Sequence, residues 1–361
     1  MFSVKKKGAA FAAVALSVIP LATACGGGGD SNASAEDTTL VVASWGAYFT
    51  EATRQFLADP FTKETGIKVQ IVDAPGKYAA NLQAQKQANN VQWDLLDSTS
   101  APDAYQMAHD GLIQQLPANL KTEFQSVLGQ DAVTDFGFTF SNLGYIIACN
   151  KDKVTTCPDT QQAFFDPANP ARRQMIATLP LLNLSLAEMA SGVPAEEIPT
   201  HEIDMDRAFA KLKELKPLVK VWWESGDQME QAFRNGEVDM GIAYSGRAFG
   251  LADNGTPLQV QWKGGVYNPG FWNVATGAPH SKAAFQFMEW IANHPEAQAK
   301  WAEKTKYSVP SPKAFDYMDD TFKKQLADWP DNRKQLTTLN YDWYVKNAQD
   351  VNRRWQEFLR G

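Results

Sequence analysis

Histidine and cysteine are scarce in this chain. Its four histidines, His109, His201, His280 and His294, show no metal-ligand spacing such as His-Glu-x-x-His, so neither a metal site nor metal-assisted hydrolysis is expected from them. The G-x-S-x-G turn that exposes a nucleophilic serine is missing. So is the glycine-rich Walker loop that cradles phosphates, and no cysteine–histidine pair stands in a catalytic setting. No cofactor is therefore expected. Positive charge is also in short supply: 34 Lys and Arg face 41 Asp and Glu, for a formal charge of −7. An acidic chain without a basic stretch in its body repels phosphate backbones, which excludes nucleic acid as an expected partner. Beyond residue 25 no run approaches the roughly 20 apolar residues that a membrane-crossing helix needs. What remains is a chain of 361 residues, 44% hydrophobic and 21% charged. That is enough to bury a large core and to divide into two lobes.

Residues 1–24 read as an export signal, with basic Lys5-Lys6-Lys7, an apolar stretch from Ala9 to Leu21, and small residues up to Cys25. Ala22-Thr23-Ala24-Cys25 resembles a bacterial lipobox, with Ala22 where leucine is commonest. Cleavage before Cys25 would leave a cysteine able to carry lipid. Residues 25–38, rich in Gly, Ser and Asn, would form a polar tether behind it. An ordinary secretory cut near Ala24 is the alternative. The expected location is extracytoplasmic, lipid-anchored to the cell membrane, and loss of the three leader lysines takes the charge from −7 to −10. In an exported chain the two remaining cysteines, Cys149 and Cys157, suggest a disulfide, with two free thiols as the alternative.

Leu40 to Ala43 is a short strand that breaks at Ser44-Trp45-Gly46 into an amphipathic helix bearing Ala52, Phe56 and Leu57 on one face. Asp59-Pro60 predicts an N-cap and first-turn proline that restart the helix, Thr65-Gly66 stop it, and Ile67 to Val72 form a second strand. Such a βαβ unit opens a parallel sheet, and ligands sit outside the carboxyl ends of such strands. Trp45 and Tyr48 lie there, although Trp45 can equally be a core plug. The strand Trp93–Asp97 gives way to Ser98-Thr99-Ser100, where Ser100 offers a hydroxyl and Asp103 can cap the next helix. Residues 136–150 are predicted to cross between lobes. A helix over 204–216, a strand over 219–223, a helix carrying Met229 and Phe233, and a strand over 238–244 make a second βαβ unit. Residues 258–274 return the chain, and helices follow over 280–304 and 342–359, the last with Trp343, Val351, Trp355 and Phe358 spaced to pack. The expected fold is α/β, two-lobed, with a mixed, mostly parallel sheet in each lobe and a hinge. Its lobes are 39–145 with 271–361, and 146–270. Glu224 and Asp227 can be imagined as a glycoside-hydrolase carboxylate pair, but helix capping and dipole complementation account for them better.

Six segments occur in order after the lipobox: Trp45-Gly-Ala-Tyr48, Phe61-Thr-Lys-Glu-Thr-Gly-Ile-Lys-Val69, Trp223-Glu-Ser-Gly226, Asn235-Gly-Glu-Val238, Tyr244-Ser-Gly-Arg247 and Asn254-Gly-Thr-Pro257. Together they resemble bacterial spermidine/putrescine-type periplasmic solute-binding proteins, and the resemblance runs from about Leu40 to Gly361. It implies a type II periplasmic-binding-protein fold, a small-molecule solute held in an interlobe cleft, and delivery to ABC permease subunits by a protein that is not an enzyme and is expected to be monomeric. By position it suggests Trp45, Tyr48 and Ser100 from the first lobe, Ser225, Asp227, Tyr244 and Arg247 from the second, and Tyr307 and Tyr344 from the C-terminal part. Asn268 and Trp272, in the loop following Gly264-Gly265, join that list. The sequence departs from the polyamine pattern. Where those proteins place carboxylates, it reads LPLLNLSLAEM from Leu179 and VYNPGFWN from Val266, with Asn268 and Gly270 in place of an aromatic and an acid. A diamine held without carboxylates would bury uncompensated charge. Arg247 instead fits the branch that resembles binders of amino-acid-like solutes such as γ-aminobutyrate, forking onto the solute carboxylate. Trp45 and Tyr244 are expected to touch solute and Trp222 to be core. An extracellular hydrolase of a small substrate or glycan is the alternative from another class.

Overall fold

The computed structural model describes residues 38–74 and 76–361. The opening strand, β1 (Thr39–Ser44), is mostly apolar, with Leu40, Val42, Ala43 and Ser44 buried. It leads into α1 (Ala47–Thr53), a π turn (Arg54–Ala58) and α2 (Asp59–Thr65), one continuous helical path. The predicted cap at Asp59 is thus corrected: Asp59 is already helical and its side chain caps nothing. Pro60 lacks the N–H an α-helix would need there, and the wide π turn just before it takes up the disruption without ending the helix. β2 (Lys68–Asp73) then pairs parallel to β1. α3 (Tyr78–Gln87), β3 (Leu95–Ser100) and α4 (Ala101–His109) follow, with β3 parallel to β1 on its other side.

After α5 (Ala118–Leu128) and the short β4 (Val133–Thr134), the chain enters β5 (Gly137–Asn150), a long, almost wholly buried strand. Burial along almost its whole length marks a strand covered on both faces. It carries the chain into a second wing made of α6 (Gln161–Phe164), β6 (Arg173–Ile176), α7 (Pro180–Ala190), α8 (Met205–Leu215), β7 (Val219–Trp223), α9 (Gly226–Arg234), β8 (Met240–Tyr244) and α10 (Ser245–Asp253). β9 (Leu258–Val274) returns along β5. It is followed by α11 (Ser281–Asn293), α12 (Pro295–Thr305), the short α13 (Asp320–Lys323) and α14 (Pro330–Arg333), and the long α15 (Tyr341–Arg360).

Among the described residues nine strands form one sheet, in the order β2-β1-β3-β9-β5-β8-β6-β7, with β4 beside β5. Each wing is parallel at its outer part (β2, β1, β3 and β8, β6, β7), while β9 and β5 run antiparallel through the middle. The second βαβ unit is present, but β6 lies between β7 and β8, so the strands joined through α9 are not neighbours. Where the wings join, Phe140 packs edge-on against both Trp272 and Trp301, and Trp272 against Phe287. Burying an aromatic ring of this size contributes about 2–3 kcal/mol. The sulfurs of Cys149 and Cys157 are joined, with Cα atoms 5.7 Å apart, which fastens the end of β5 to the irregular segment after it.

One element is placed differently from the expected lobe division. The C-terminal half of α15, grouped by sequence with the first lobe, lies on the second wing. There Trp355 and Phe358 pack against Trp222 and Phe209, and the Trp355 indole donates to the Ala177 carbonyl at 2.6 Å. The apolar stripe of a helix shows that it must be covered but not by what.

Candidate functional site

Helices start at the carboxyl ends of β1, β7 and β8, where their unsatisfied N–H groups gather. The starts of α1, α9 and α10, together with the end of α12, surround a crevice of about 500 Å³. Tyr48 comes from α1, Asp227, Glu230 and Arg234 from α9, Gly246, Arg247 and Asn254 from α10 and its cap, and Lys304, Lys306 and Tyr307 from the end of α12 and beyond. Elements of both wings therefore contribute. They meet at Gly246, where a Cβ would stand 2.4 Å from the Lys306 carbonyl oxygen.

Arg247 is the hub. Its Nη1 donates to Asp227 Oδ1 at 2.7 Å and to Glu230 Oε1 at 2.9 Å. Its stem lies on Gly226, where a Cβ would come within 2.3 Å of Nε and 2.5 Å of Cζ, so only glycine admits the guanidinium in this pose. Arg234 pairs with the other Glu230 oxygen. Burial opposes the Arg247 charge, but Tyr307, Asp227, Tyr48 and Glu230 outweigh it and hold the pKa above the usual arginine range. Burial also raises the Tyr48 phenol, with Tyr307 adding to it, and raises Tyr307 itself. Both phenols are thus neutral at pH 7, so the counter-charge to Arg247 comes from the two carboxylates. The lining carries two acids, Asp227 and Glu230, against four cations, Arg234, Arg247, Lys304 and Lys306. A small anionic group is electrostatically welcome there, and the acids offer a place for a cation beside it.

The structure thus brings together Tyr48, Asp227, Arg247 and Tyr307. Tyr244 stands behind them, between Tyr145 (5.5 Å between ring centroids) and Trp223 (4.9 Å), its phenol raised by burial and then by Tyr307. The other candidates lie outside the lining. Trp45 turns into its own wing, donating from Nε1 to the Ser98 carbonyl at 2.7 Å and meeting Tyr78 edge-on. Ser100 caps α4, donating to Asp103 Oδ2 at 2.7 Å, and Ser225 caps α9, accepting from the Gln228 N–H at 3.2 Å. Asn268 sits within β9 opposite Leu143, and the Tyr344 hydroxyl reaches Asn352 of its own helix. Trp272 is a correction: it is fully buried in the core, because alternation along β9 turns it inward onto Phe140 and Phe287. Trp222 is half-buried under α15. Cys25 lies outside the described residues.

Glu230 was not among the sequence candidates. Its signal was present: it lies three residues after Asp227 and four before Arg234, on one face of α9. Lys306 carried no such signal, since its place depends on a left-handed turn (φ 64°) that ends α12.

Residues 57–333 match the family described as bacterial extracellular solute-binding protein. This chain belongs to that family. A γ-aminobutyric acid-binding protein of Pseudomonas aeruginosa is 26% identical over 90% of this solute-binding protein and 91% of its own length. A spermidine/putrescine-binding periplasmic protein of Salmonella typhimurium is 24% identical over 92% and 94%. Among solved structures, an ABC transporter substrate-binding protein from Bradyrhizobium japonicum superposes with a TM-score of 0.80 at 25% identity, covering 89% of this chain and 99% of that one. The fold is the α/β type II periplasmic-binding-protein fold, and the chain is a solute-binding protein of the importer kind. A hydrolase finds no support among these relatives.

Proposed function

We propose that this solute-binding protein captures a small zwitterion, an amino acid of the γ-aminobutyrate type, in the crevice between its wings and passes it unchanged to an ABC permease. The observation that carries this reading is Arg247 set between Asp227 and Glu230. With Nη1 engaged by the acids, the rest of the guanidinium can fork onto a solute carboxylate. The acids can then turn toward the solute ammonium, while Tyr48 and Tyr307 bound the alkyl part. A volume of about 500 Å³ suits a small molecule. The lobes would be the two wings, divided near 145 and 271. They would close by bending at β5 and β9, with the solute stabilising the closed form. Export and lipid attachment at Cys25, supported by the leader sequence and by the extracytoplasmic setting of the relatives, complete the proposal together with a monomeric state.

A second reading is favoured by the same acids. Asp227 and Glu230 supply the carboxylates that the polyamine positions of the sequence lack, so a diamine remains the rival solute. Calorimetry with γ-aminobutyrate, putrescine and spermidine separates the two. Stoichiometric, reversible binding of the amino acid with weaker binding of the diamines is the expected result. Binding of diamines alone, or turnover of the amino acid, would reject the proposal.

A further inference from the structure

We infer that Asp328 latches the hinge between the two wings and so governs how readily the protein closes on its solute, a role that rests on the binding function proposed above. The sheet passes from one wing to the other through β9 and β5. Their ladder loses register between Phe140 and Leu143, where Ser141 takes a left-handed φ of 56°. A strand pair bends where its ladder is interrupted. A third segment joins at this point: Asn142 and Ser308 form an antiparallel bridge, and Ser308 directly follows Tyr307 of the crevice.

Asp328 gathers all three segments. Its Oδ2 accepts from Asn142 Nδ2 at 2.8 Å, its Oδ1 accepts from the Tyr267 hydroxyl of β9 at 2.8 Å, and its N–H donates to Ser308 Oγ at 3.2 Å. Asn142 and Tyr267 are 1% and 6% exposed, so water offers them little substitute. The Arg333 guanidinium lies 4.2 Å from the centroid of the Tyr267 ring, beside the carboxylate. One rigid carboxylate satisfies donors from both hinge strands only while those donors keep their spacing, and a bend at Ser141 changes it. The latch therefore favours the arrangement seen here, in which the wings touch at Gly246 and Lys306. Hydrogen bonds formed in one of two states shift the population by their differential strength. Asp328 lines no part of the crevice, so its loss alters closure and not solute contact.

The test pairs Asp328→Ala with Tyr267→Phe, the second removing one donor without leaving a cavity. Spin labels at exposed Lys63 of α2 and Lys213 of α8 report the distance between wings without solute, and calorimetry reports Kd for γ-aminobutyrate. We expect longer and broader distances for Asp328→Ala with Kd raised about tenfold, and a smaller change of the same sign for Tyr267→Phe. A wild-type distance distribution in folded Asp328→Ala overturns the latch. Should Asp328→Ala fail to fold, a wild-type distribution in Tyr267→Phe overturns it instead. If the wild-type protein binds neither γ-aminobutyrate nor a diamine, the binding function fails, while the solute-free distances still decide the latch.

Discussion

Replacing Arg247 by methionine tests the proposed site most sharply. The apolar stem would keep its place on Gly226 while the guanidinium is removed, so the fold is little disturbed. In the free protein Asp227, whose side chain is 81% exposed, would lose a partner that water replaces, and Glu230 would keep Arg234. An exposed pair of this kind contributes about 1 kcal/mol or less, so the melting temperature should move by only a few degrees. Binding is different. A forked arginine–carboxylate contact comprises two charge-assisted hydrogen bonds of about 1.5–3 kcal/mol each. Allowing for incomplete additivity, a loss of about 3–4 kcal/mol raises Kd for γ-aminobutyrate by roughly 10²–10³. The same change frees Asp227 and Glu230 from a competing cation, so affinity for putrescine should hold or improve. Calorimetry with both solutes checks this. Equal losses for the two, or an unchanged Kd for the amino acid, would refute the assignment of Arg247 to the carboxylate.

Asp97 is fully buried, and burial pushes its carboxyl up to about 7 despite hydrogen bonds from Ser44, Thr53 and Tyr78. Because the folded value lies above the unfolded value near 4, the stability this group contributes is present at low pH and lost as pH rises from about 4 to 7, by up to about 4 kcal/mol. The denaturant midpoint of wild type should fall relative to that of Asp97→Asn as pH rises across that range, and a constant difference between them would reject it. Reducing the Cys149–Cys157 bond should lower stability by about 2.5 kcal/mol, since it closes a short loop in the unfolded chain; unfolding curves with and without reductant measure it. Gly246→Ala would drive a methyl group into the Lys306 carbonyl, forcing the wings apart. Solute affinity should fall severalfold and small-angle scattering should show a more open particle, whereas an unchanged Kd would mean that this contact plays no part in closure.

Much of the architecture was legible because short-range patterns dictate it. The β-branched run at 40–43, the period of 3.6 from Asp204 to Leu215 with Asp204 as its cap, and the polar turns at strand ends each state their structure locally. So did the recurrence of tyrosine, serine and arginine where strands give way to helices, which placed Tyr48, Asp227 and Arg247 at strand ends. The sequence by itself thus determined most of the elements and the chemistry available at the strand tips, but not β6, the strand that joins β7 and β8 into the second parallel wing. Only the tertiary structure decided which of those tips meet. Trp45 and Trp272 both follow or end strands, yet one donates to Ser98 within its wing and the other fills the core. Lys306 and Asp328 gain their places through contacts with residues 60 or more positions away, Gly246 for one and Asn142 and Tyr267 for the other. Local propensity fixes the direction of a side chain relative to its own backbone. What that side chain faces depends on how strands about 100 residues apart pair, as Tyr145 of β5 does with Tyr244 of β8, and no local signal encodes that.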